Sequence, residues 1–67
     1  MDIANLRYMA NQIARNFAAG GEEAAIAATA QHLRDFWDPR MKAAILADDR
    51  AALVPIARAA IERLAGN

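Results

Sequence analysis

The sequence predicts an all-α fold: a small bundle of three to four short helices with a Trp-Asp-Pro corner between helices 2 and 3. Three observations lead there. Apolar residues recur at steps of three and four along the chain, and no stretch alternates with the period of a strand. Helix-breaking or turn-forming residues punctuate that pattern at Gly20-Gly21, Asp38-Pro39 and Asp48-Asp49-Arg50. The length, 67 residues, suits one domain near the lower limit for unaided folding. The expected organisation is a single helical domain, 1–67, with helices at about 2–17, 22–37, 39–47 and 54–65.

Asp2 is a good N-cap for helix 1. Its apolar stripe is Ile3, Leu6, Met9, Ala10, Ile13, Ala14 and Phe17, while Asn5, Arg7, Tyr8, Asn11, Gln12 and Arg15 fall on the other side. Gly20-Gly21 supplies a left-handed exit and a flexible turn. Glu22 and Glu23 favour the positive end of helix 2. Residues 24–30 are almost all small, around Ile26 and Thr29, and such a surface lets another helix approach closely.

The segment His32-Leu33-Arg34-Asp35-Phe36-Trp37-Asp38-Pro39-Arg40-Met41 holds the only Trp and the only His. Leu33, Phe36 and Trp37, at i, i+3 and i+4, form one bulky apolar patch on a helix. Asp38-Pro39 stops that helix, because a residue before proline leaves the α region and proline has no N–H. The same pair starts the next helix, with Asp38 as N-cap and Pro39 at the first helical position. Helix 3 then turns Met41, Ile45 and Leu46 inward. In the last helix an N-cap at Asp49 would leave Pro55 too deep inside, at a cost of about 3 kcal/mol. A turn through 48–52 and a start at Leu53 or Val54 is preferred. Ala57, Ala60, Ile61 and Leu64 make its stripe, and Gly66 ends it.

Composition excludes several functions. Eight Lys and Arg balance eight Asp and Glu, so no net field recruits nucleic acid or an anionic membrane. The longest uncharged run, residues 24–33, is half the length of a membrane span, and no signal peptide opens the chain. A cytoplasmic protein is expected. Cysteine is absent, which removes disulfides and thiolate metal sites. There is no Ser or Cys nucleophile, no phosphate-cradling glycine loop and no His-x-x-x-His pair; His32 beside Asp35 reads as a surface histidine. Catalytic, cofactor-binding and metal-binding residues are therefore all expected to be none. A helix-turn-helix reader is disfavoured because the helix after the corner offers only Arg40 and Lys42. With about half the hydrophobic residues being alanine, the core is thin and gains from a partner surface.

Two segments carry a resemblance over nearly the whole chain. Met9-Ala10-Asn11-Gln12-Ile13-Ala14 with Phe17, and the segment from His32 to Met41, resemble the two signatures of the delta subunit of soluble NAD-dependent formate dehydrogenase; Leu53-Val54-Pro55-Ile56-Ala57 is loosely similar to a third. The resemblance implies an accessory subunit without catalysis of its own. It would bind and stabilise the catalytic alpha subunit, with beta and gamma subunits also in the complex. It also implies a holoenzyme with a molybdenum or tungsten bis-pterin, iron–sulfur clusters and FMN, all on other subunits. A transient assembly factor for the alpha subunit or its pterin insertion, and an unrelated self-associating helical module, are the alternatives. The expected partner-binding residues are Tyr8, Asn11, Gln12, Phe36, Trp37, Asp38, Pro39 and Arg40. Phe36 and Trp37 point about 100° apart, so one is expected inward and the other towards a partner.

Overall fold

The structure, a computed structural model, describes residues 2–66. Met1 and Asn67, the two ends of the expected domain, lie outside them. The architecture is all-α, with four helices and no strand among the described residues. None of these helices is long and apolar enough to cross a membrane.

Helix α1 spans Ile3–Phe17, and Asp2 caps it by accepting the Ala4 N–H at 3.0 Å. Leu6, Ala10 and Ala14 form its buried line, with Ile3, Met9 and Ile13 packed alongside. Phe17 departs from the expected stripe. It is the last residue of α1 and is 37% exposed.

The first turn also differs from expectation in detail. α1 runs into a 3-10 turn, Ala18–Gly20, in which Gly20 has no positive φ. Gly21 alone carries the special geometry, at φ 97° and ψ 155°, a region that side chains with a Cβ avoid. Space is not the constraint, since nothing lies within 4 Å of where a Cβ would stand. Only the backbone requires glycine here.

Helix α2 spans Glu22–Phe36 and buries Ala25, Thr29, Ala30 and Leu33. Its small residues do what they promised: α2 packs most extensively on α4, whose facing residues are Ala57, Ala60 and Ile61. The Arg63 guanidinium reaches across to Glu23 at 2.8 Å. Thr29 is fully buried, and its hydroxyl has no partner among the described residues.

Trp37 ends α2 in an extended conformation, φ −85° and ψ 134°, and Asp38 follows at ψ 169°. α3 then spans Pro39–Ala47, with Pro39 in its first turn and the Asp38 carboxylate accepting the Met41 N–H at 2.9 Å. Ile45 is fully buried, while Met41 and Leu46 are half-buried at its edge. α4 spans Pro55–Gly66, so it starts one or two residues later than expected. Proline at the first helical position loses no hydrogen bond, and that decides the boundary. One apolar core, built on Leu6, Leu33, Trp37, Ile45, Leu53 and Ile61, joins all four helices.

Candidate protein interface and the clasp behind it

The eight residues expected to meet a partner do not share one surface. Trp37 and Phe36 divide between inside and outside. Trp37 is 5% exposed and belongs to the core beside Leu33, whereas Phe36 is 73% exposed. The expected single patch of Leu33, Phe36 and Trp37 is therefore split, with Trp37 covered by its own chain. Asp38 spends its carboxylate on the α3 cap, and Pro39 shapes the bend. Arg40 is exposed and its side chain has no hydrogen-bond partner among the described residues.

On α1, Asn11 is committed within the chain. Its amide donates to the Ala52 carbonyl at 3.1 Å and its Oδ1 accepts the Val54 N–H at 2.9 Å. The sequence reading placed Asn11 on a face open to a partner. Instead, both ends of the amide fasten the loop before α4. Gln12 is exposed and accepts from Arg15 at 3.0 Å. Tyr8 is 62% exposed. It stands nine residues before Phe17, so at about 100° per residue the two point from opposite faces of α1.

One turn before Asn11, Arg7 makes a two-pronged contact with Asp48, with Nε on Oδ2 at 3.0 Å and Nη2 on Oδ1. The Asp48 side chain is nearly buried and also accepts the Arg50 N–H at 3.3 Å. Arg7 and Asn11, at i and i+4, thus clasp both ends of the 48–54 loop. This clasp went unseen in the sequence, where Arg7 falls on the side of helix 1 away from the apolar stripe and 48–50 reads as a turn. The only available signal was an Arg and an Asn at helical spacing, which is too common to single out. Within the loop Arg50 takes a left-handed φ of 67°, and its guanidinium donates to the Leu46 carbonyl at 3.3 Å, satisfying the end of α3.

Arg7 holds the Asp48 carboxyl below its ordinary value, chiefly through the side-chain hydrogen bond and against partial desolvation. The folded pKa is lower than the unfolded one, so this contribution is complete above the ordinary carboxylate value and is lost as pH falls through the lowered one. Asp48→Asn should accordingly lower Tm at neutral pH and flatten the acid limb. Melting followed by circular dichroism from pH 7 into acid is expected to show wild type and variant converging. Parallel curves would show that Asp48 is not the titrating group.

The groups with no internal duty gather elsewhere. His32 lies against Phe36 with ring centroids 4.7 Å apart and against the Phe17 edge at 6.4 Å, both within the range for aromatic pairing. Phe17, His32 and Phe36 thus make one aromatic surface strip; the sequence reading had included Phe36 and missed the other two. A second feature is an open apolar groove of about 350 Å³ between Ala14, Ala18, Val54 and Ile56. No three His, Asp or Glu side chains gather among the described residues to hold a metal ion. Without cysteine either, the donor set does not fit an iron–sulfur cluster.

Against known proteins, the family model described as NADH-dependent formate dehydrogenase delta subunit FdsD matches residues 5–61. No curated protein and no solved structure matches the chain.

Proposed function

The chain belongs to the delta-subunit family of NADH-dependent formate dehydrogenases, and on that premise we propose that it is a non-catalytic accessory subunit. It binds the catalytic alpha subunit, stabilises it and supports the activity of a cytoplasmic complex with beta and gamma subunits. The family match across residues 5–61 of the 67 carries this reading. Two physical features support it. The core is lean in large side chains, so a host surface adds stability the chain lacks alone. The chain has no cysteine with which to ligate an iron–sulfur cluster, in keeping with other subunits holding the bis-pterin, iron–sulfur clusters and FMN.

The test is co-production of the tagged chain with its large subunits. It is expected to co-purify in near-equal amount with the alpha subunit, and omitting it is expected to lower formate-dependent NAD reduction. Active enzyme that forms equally well without it would refute the proposal. Recovery far below equal amounts, with activity still requiring the chain during production, would replace a resident subunit with a transient assembly factor.

A further inference from the structure

We propose that the chain docks through Phe36, backed by His32 and Phe17, into an apolar recess of the formate dehydrogenase alpha subunit, with Arg40 meeting a carboxylate beside that recess. This rests on the subunit reading above and assigns the surface and the chemistry of the partner site.

Phe36 is exposed where its own helix says it should be covered. It stands seven residues after Thr29 and eleven after Ala25, which puts all three within roughly 20° of one line along α2. Thr29 and Ala25 are 0% and 1% exposed on that line, and Phe36 is 73% exposed. Phe36 thus continues a buried line of α2 and is itself left largely exposed, with the His32 ring against it. Tyr8 differs. It is exposed on the outer face of α1, among Asn5, Gln12 and Arg15, where a lone amphipathic ring needs no cover.

The strip is also pre-arranged. The His32 ring lies against Phe36 at 4.7 Å and Phe17 from α1 lies against His32, so the three rings stand in one row, and contacts already made need not be formed on docking.

Charge identifies what borders the recess. Among the described residues Arg7, Arg15, Lys42, Arg50, Arg58 and Arg63 each donate a side-chain hydrogen bond within the chain. Arg34 and Arg40 do not, and both flank the corner. Arg34 points roughly 160° away from Phe36 around α2. Arg40 lies four residues beyond Phe36, within about 14 Å by chain reach. The nearby carboxylates are occupied, Asp35 by Gln31 and Asp38 by the α3 cap. A free guanidinium four residues along the chain from an exposed aromatic complements a carboxylate at the edge of an apolar recess.

The experiment uses the tagged chain co-produced with the other subunits and compares enzyme retained on the tag. Phe36→Ala is expected to reduce retention about tenfold or more, and Arg40→Glu several-fold, whereas Glu62→Ala, at an exposed position of α4, retains the wild-type amount. Photoreactive benzoylphenylalanine replacing Phe36 is expected to crosslink to the alpha subunit in the assembled complex. If wild type and the Phe36→Ala/Arg40→Glu double variant retain equal enzyme, the surface is wrong and the subunit reading stands. Loss with Glu62→Ala as large as with Phe36→Ala, or crosslinks only to the chain itself or to a beta or gamma subunit, likewise overturns the surface. Failure of the wild-type chain to retain any enzyme overturns the surface and the subunit reading together.

Discussion

Trp37→Ala is expected to unfold the chain. The indole is 5% exposed at the meeting of α2 and α3, in the same core as Leu33 and Ile45. Truncating a buried Trp costs about 3–5 kcal/mol. That is comparable to the whole stability of a domain this short, which rarely exceeds about 3–5 kcal/mol from one core. Helical circular dichroism of the variant at room temperature should fall towards that of an unfolded chain, with no cooperative melt. Trp37→Phe fills part of the space and should restore a melt at lower temperature. A Trp37→Ala protein melting like wild type would mean that the indole is not the keystone of the corner. Loss of partner binding in Trp37→Ala would then be a consequence of unfolding, which is why the docking tests use the exposed Phe36.

Asn11→Ala is the second large effect, at about 2 kcal/mol, from one half-buried N–H left unpaired and one carbonyl bond lost. Its interest is positional. The Val54 N–H and the Ala52 carbonyl lie just before α4, so the Asn11 amide sets where the loop stops and the Pro55 turn begins. Amide hydrogen exchange at Val54 should accelerate in Asn11→Ala more than exchange in the centre of α2. Asn11→Asp separates the two bonds: it keeps an acceptor for Val54 and loses the donor to Ala52, so it should fall between wild type and alanine. Equal exchange at Val54 in all three proteins would rule the clasp out.

How much of the site was legible follows from the range of each interaction. The corner was legible because a proline acts on its immediate neighbours, and Asp38 needs to reach only three residues to cap α3. The inward and outward division of Trp37 and Phe36 followed from helix geometry; which of the two goes inside did not. That choice depends on where α3 and α4 lie, and α2 carries no record of it. Asn11 and Gln12, adjacent amides on one helix, look equivalent in the sequence. The fold separates them, giving Asn11 the loop and leaving Gln12 in solvent. The aromatic strip escaped notice because Phe17 matched the core period of α1, and only the fold shows it part-exposed.

The sequence by itself determined the all-α class, the capped starts of α1 and α3, the break between α2 and α3 before Pro39, and the small-residue surface of α2. Each of these rests on contacts within about one helical turn, or on side-chain size alone. The tertiary structure alone decided that Arg7 and Asn11 hold the 48–54 loop, across separations of 41 and 43 residues, and that Phe36 rather than Trp37 faces outward. Those outcomes depend on how helices far apart in the chain stack around one thin core, and no local pattern encodes that arrangement.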